Sequence, residues 1–290
     1  MNSYSIAQDS PRGSRLVLDS IFHPTDFSPE SEEALAHAFK LALAVGAELR
    51  ILHVDPPGTA TPVANYPNIQ DMWSRWEREK RPQPVGTQTS YPIPRIRKIR
   101  TSGNITRSIV EHLEHHPANL MVLATHQHGG LPRWLKREVA ERVALATKMM
   151  SLFIPPFSRG FVDRTTGQVL LKRILIPVTQ DPYPQPAVDS ACWLNHALGC
   201  LEGNFTLLHI GTHHDMPFVN QPLRTGWVWD TQYRDGEVVE QILRWEQENT
   251  PRLICMMTRG HDDLLDEIRG NHTERVIRKV RCPVLAIPTS

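Results

Sequence analysis

Two short glycine-bearing stretches are where this sequence could do chemistry. The later one runs Met257-Thr258-Arg259-Gly260 and resumes, nine residues on, at Gly270-Asn271-His272-Thr273. A glycine turn that leads into a helix start presents unpaired N–H groups and the positive end of the helix dipole, which suit an anion such as phosphate. Gly260 would let the backbone approach a ligand closely, and Asn271 could donate a side-chain hydrogen bond to it. A plainer reading competes, because Asn271 with Glu274 three residues on also makes a capping box that any helix can use. By themselves two glycines at this spacing are weak evidence for a phosphate site.

An earlier stretch repeats the plan. Leu120-Met-Val-Leu-Ala124 is followed by Thr125-His-Gln-His-Gly-Gly-Leu131 and Val139-Ala-Glu-Arg-Val143, as Leu253 to Met257 is followed by Thr258 and then Glu274-Arg275-Val276. The chain is a duplication. Other chemistry is poorly supplied. Of the 14 histidines, His126 and His128 flank the first loop, while His213, His214, Asp215 and His261 could gather near the second. A zinc site needs three or four converging ligands, and these spacings match no ligand pattern, so solvated loop histidines are the plainer reading. No Gly-x-Ser-x-Gly elbow is present to support a nucleophilic triad. No catalytic residue and no metal ligand is assigned.

The elements that must position these loops follow from periodicity. Leu16 to Phe22 suits a first strand ended by Pro24, and Ser28-Pro29-Glu30 suits a helix start. Leu35, Ala38, Phe39, Ala42 and Val45 recur at helical spacing until Gly46, and Glu48 to Val54 is a second strand. This strand–helix–strand order predicts a right-handed parallel unit. Residues 55–92 form a Pro- and Gly-rich insert with one helical island, Ile69 to Lys80, whose Trp73 and Trp76 share a face. That stripe is expected to pack on its own domain, with partner binding as the alternative. Strands at 93–100, 119–124 and 150–154 and helices at 103–116 and 138–147 complete the first half. In the second half, strands at 172–178, 205–210, 227–233, 253–257 and 283–287 alternate with helices at 185–198, 236–248 and 272–280. The prediction is an α/β chain of two Rossmann-like open parallel-sheet domains. The first spans 1–156 and the second 171–290, with a turn-rich linker over about 157–170 and pairing through the two last strands.

Composition agrees with this. At 290 residues, 40% hydrophobic and 22% charged, the chain suits two globular domains with cores of their own. A net charge of +1 gives no reason to expect nucleic acid or an anionic membrane. The amino-terminal residues lack the apolar core of a signal peptide, and no apolar run approaches the roughly 20 residues of a membrane span. Cys192, Cys200, Cys255 and Cys282 form no Cys-x-x-Cys pair and are expected as reduced core residues, which makes the cytoplasm the expected compartment.

Together, Ile21-Phe-His-Pro-Thr-Asp-Phe-Ser-Pro-Glu-Ser31, the loop at Thr125–Leu131 with Val139–Val143, and Gly270–Val276 with Cys282–Pro288 make the chain resemble a tandem universal stress protein. The resemblance covers nearly all of residues 16–288. It implies a Rossmann-like domain in duplicate, dimer-like pairing through the final strands, a role in stress survival, and ATP binding in some members. Those members carry an acidic residue after strand one and Gly-x2-Gly-x9-Gly-Ser/Thr after strand four. In the first half Asp26 stands at the acidic position, with Val54 and Thr125 beside it, but Ala124, Gln127, Arg137 and Glu138 occupy the loop positions. Glu138 would place a carboxylate where phosphate sits, so this site is expected to be vestigial.

In the second half Gly260 and Gly270 remain, Met257 and Asn271 replace the outer motif residues, and Thr179 replaces the acid. The candidate nucleotide set there is Pro177, Val178, Thr179 and Ile210 from the early strands. Met257, Thr258, Arg259 and Gly260 join them, with Gly270, Asn271, His272 and Thr273 from the helix start. Asp262 and Asp263 would meet a polyphosphate unless Mg²⁺ intervened. The expected ligand is therefore ATP or another adenine nucleotide, with magnesium if bound, or else no ligand. Three functions stay open: a non-enzymatic regulatory module, a slow ATP hydrolase, and a ligand-free scaffold working through the Trp73/Trp76 insert or the loop at 211–226. A homodimer and an unidentified protein partner are compatible with each.

Overall fold

The computed structural model describes residues 17–79, 93–125, 143–144, 146–156, 158, 160–259 and 272–289. Ten strands form one sheet in the order β3-β2-β1-β4-β5-β10-β9-β6-β7-β8. The first half supplies β1 (Ser20–Pro24), β2 (Glu48–Asp55), β3 (Ile96–Ser102), β4 (Leu120–Ala124) and β5 (Ser151–Ile154). The second supplies β6 (Arg173–Val178), β7 (Gly203–Ile210), β8 (Trp227–Arg234), β9 (Leu253–Thr258) and β10 (Val284–Pro288). Each half repeats one order outward from the centre. Every pairing is parallel except β5 with β10, which run antiparallel with Leu285 opposite Leu152. The two last strands are thus the seam between the halves, as the sequence predicts.

Local chemistry sets the elements. Helix α1 (Pro29–Val45) begins where the Ser28 hydroxyl accepts the Ser31 amide, and it ends at Gly46 with φ of 73°. Helices α1, α2 (Ile69–Glu79) and α4 (Gln185–Ala197) cover one face of the sheet. Helices α3 (Ile105–His115), α5 (Val238–Asn249) and α6 (His272–Ile277) cover the other. The α1 face is one continuous core across the seam, joining Leu41, Leu152, Leu194 and Leu285 around a residual void of about 10 Å³. Trp76 lies 1% exposed against Phe39, so the tryptophan stripe packs down on its own half.

Two boundaries differ from the sequence reading. Strand β1 starts later than predicted and takes in Pro24, opposite Leu52, rather than stopping before it. The stretch read as a linker carries more structure than its composition predicts. Val162 bridges Val169 in an antiparallel hairpin with Phe161 and Val162 fully buried. The Val162 amide donates to His37 Nε2 at 3.2 Å and Trp76 Nε1 donates to the Arg164 carbonyl at 2.9 Å. Arg252 of the second half reaches the Gly160 carbonyl at 3.3 Å. Turn formers hid this because Phe161 and Val162 find their helix contact at His37, far along the chain. The helix predicted at 138–147 lies mostly outside the described residues.

Candidate functional site

Pairing register makes the two halves comparable position by position. Ile21 pairs with Leu120 as Ile174 pairs with Leu253. Thr25 and Asp26 therefore correspond to Val178 and Thr179, and Ala124 and Thr125 to Met257 and Thr258. Pro24 faces Leu52 while Val178 faces His209, which equates His53 with His209 and Val54 with Ile210. Both candidate sets thus gather at the carboxyl ends of adjacent strands beside the crossover, where ligands collect in open parallel sheets.

In the first half these strand ends are used internally. Asp26 Oδ1 accepts the Ser28 amide at 2.9 Å, and Thr25, Val54 and Thr125 are 6%, 3% and 2% exposed. The crevice lined by Asp26, Val54, Ile105 and Ile109 holds only about 20 Å³. On the opposite face Phe27, at φ of 65°, stacks on His53 at 4.2 Å with Tyr66 edge-on. The His53 Nδ1–H donates to the Thr25 carbonyl at 2.8 Å, and Nε2 lies 3.3 Å from Asp55. Burial alone would push the Asp55 carboxyl up, but the Thr61 hydroxyl and amide, with His53 and Arg100, hold it below its ordinary range.

In the second half the corresponding ends are more open. Thr179, Arg259 and His272 are exposed, and Pro177, Ile210, Met257 and Thr258 are half-buried. The Thr273 hydroxyl donates to the Met257 carbonyl at 3.4 Å, tying the start of α6 to the end of β9. Arg259 crosses to the β6 end, donating to the Asp181 carbonyl at 3.2 Å and pairing with its carboxylate. His209 repeats His53, its Nδ1–H donating to the Val178 carbonyl at 3.1 Å, but its buried Nε2 has no hydrogen-bond partner among the described residues. Asp215 lies 3.7 Å from that nitrogen and is held below its ordinary pKa first by the Thr212 hydroxyl. Gly211 is needed here, since a Cβ would sit 2.7 Å from His209 Nε2.

Gly260, Gly270 and Asn271, together with His126, His128, Gln127, Arg137, Glu138 and His261–Asp263, lie outside the described residues. Among the described residues no three His, Cys, Asp or Glu side chains are grouped to hold a metal ion. The four cysteines are free thiols, three of them buried. No helix among the described residues is long and apolar enough to cross a membrane. Sequence reading missed the His53 and His209 pair. The signal was present, in Leu52-His53-Val54 against Leu208-His209-Ile210 at equivalent places in the duplication.

A duplicated open parallel sheet with loops at its strand ends defines a tandem Rossmann-like α/β chain. The universal stress protein family model matches residues 18–155 and 228–288, and the chain belongs to that family. Among solved structures it is similar to a universal stress protein from Archaeoglobus fulgidus DSM 4304. That match has 18% identity and a TM-score of 0.60, covering 94% of this chain and 99% of that one. A putative universal stress protein from Pseudomonas aeruginosa UCBPP-PA14 matches at 11% identity and TM-score 0.59, covering 94% of each chain. At such identities the likeness is one of fold. Comparison with curated proteins returns no match.

Proposed function

We propose that this chain is a non-enzymatic stress-response module whose second half takes an adenine nucleotide and whose first half serves as scaffold. The halves are taken as residues 1–156 and 171–290. The observation that carries the reading is the contrast between equivalent positions. Val54, Ala124 and Thr125 are buried and Asp26 is half-buried and tied to its own backbone, whereas their equivalents Ile210, Met257 and Thr258 are half-buried and Thr179 is exposed. The residues present fit a phosphate in kind at the exposed Arg259 guanidinium, which pairs with Asp181, and the half-buried Thr258 hydroxyl, while Thr273 is buried and bonded to the Met257 carbonyl. Thr179 offers the ribose or base an uncharged contact where an acid would give a stronger one. Magnesium, if carried in with the nucleotide, would offset Asp262 and Asp263. No described group is placed as a general base, which favours holding the nucleotide over hydrolysing it.

Calorimetric titration with ATP and Mg²⁺, beside a radiolabelled-ATP turnover assay, tests this. One nucleotide per chain, no turnover, loss of binding in Gly270→Glu and retention in Asp26→Ala are expected. Binding lost in Asp26→Ala, or two nucleotides per chain, would reverse the assignment of halves. Turnover abolished by Gly270→Glu would establish the hydrolase instead. The scaffold reading keeps one supporting observation, the near-complete exposure of Phe218 and Leu223 on the loop at 211–226.

A further inference from the structure

Strand β8 is one free edge of the ten-stranded sheet and β3 is the other. The Gly203 and Gly211 amides donate to the Gly226 and Arg234 carbonyls, so even-numbered residues of β8 turn their backbone toward β7. Trp229, Thr231 and Tyr233 consequently turn their N–H and C=O groups outward, and no described residue bonds to them. Such an edge is a template for another strand, and proteins usually blunt it with like charges. Strand β3 is blunted in this way by Arg97, Lys98 and Arg100. On β8 there is one acid and one base, with Val228 59% and Tyr233 40% exposed. Leu201 and Leu223, 82% and 96% exposed, are placed near its amino-terminal end, where Gly226 packs on the Leu201 carbonyl.

We propose that β8 pairs antiparallel with β8 of a second copy of this chain, about a twofold axis through Thr231. This register sets outward-facing residues against each other. Trp229 falls opposite the partner's Tyr233, Thr231 opposite the partner's Thr231, and Tyr233 opposite the partner's Trp229. Aromatic pairs and threonine pairs are favourable cross-strand combinations. On the other face Asp230 falls opposite the partner's Gln232, and Val228 opposite the partner's Arg234, so no like charges meet. The same operation on β3 sets Lys98 against the partner's Lys98 or Arg100, which repels. The side-chain pattern therefore selects a second copy on one edge only, and the twofold closes the assembly as a dimer.

Sedimentation equilibrium up to roughly 100 µM, a range that captures weak dimers, tests this on the full chain. The wild type is expected at the mass of two chains. Thr231→Pro removes an outward N–H that makes no internal bond, and Tyr233→Lys puts a cation on an exposed position; each is expected to give monomers with unchanged far-ultraviolet circular dichroism. Lys98→Glu on β3 is expected to leave the dimer intact. A monomeric wild type, or a dimer that survives both β8 substitutions, overturns the proposal. Because the readout is mass without nucleotide, its failure leaves the nucleotide assignment standing.

Discussion

His23 and His37 sit fully buried in the first half, and burial drives each pKa down from 6.5 to about 4. His37 is held as the neutral ring, donating through Nδ1 to the Glu33 carbonyl at 2.8 Å and accepting the Val162 amide at Nε2. Between about pH 4 and 6.5 the unfolded chain takes up a proton at each ring that the folded chain refuses. Stability therefore rises with pH across that window and is lost as pH falls through it. At pH 5 each ring is expected to cost about 2 kcal/mol relative to pH 7. Urea midpoints at the two pH values measure this, and His37→Gln is expected to remove about half of the difference. A midpoint unmoved between pH 7 and pH 5 would mean that both rings are already charged or solvated in the fold.

At the level of elements, the hairpin over 160–170 rests on close contacts that its sequence does not advertise. Gly167, at φ of 68°, lies so near Trp76 that a Cβ would come within 2.4 Å of the indole. Gly167→Ala combines that clash with an unfavourable backbone region and is expected to cost about 1–3 kcal/mol. Amide exchange over 160–170 should quicken in this variant while α4 and β7 stay protected. Helices and strands were legible because Leu35, Phe39 and Ala42, or Leu49 and Ile51, bury one face at a fixed period. The hairpin was not, because Phe161, Val162 and Gly167 find their partners, His37 and Trp76, far along the chain. At the site, the family resemblance singled out Asp26 and Val54, and Thr179 and Ile210, and pairing register sets both pairs at the ends of neighbouring strands. Spacing gave no hint that Phe27 would fold back on His53, since a positive φ at a phenylalanine is set by tertiary packing. Nor did it show that Arg259 would meet Asp181, which depends on how β6 and β9 lie side by side.

Across the whole molecule, the core on the α1 face runs unbroken from Leu18 and Phe39 through Leu152 and Leu285 to Leu194 and Phe205. One shared core predicts one unfolding event. Leu285→Ala at the seam is expected to cost about 2–5 kcal/mol and to shift a single calorimetric transition downward without splitting it. Two resolved transitions in the wild type would instead mean that each half melts by itself. The antiparallel seam has a further outcome that concerns dilution. Strands β5 and β10 belong to one polypeptide, so their encounter has an effective concentration fixed by the tether and independent of how much protein is present. However scarce the protein becomes in solution, each copy still presents one early half and one late half in fixed ratio.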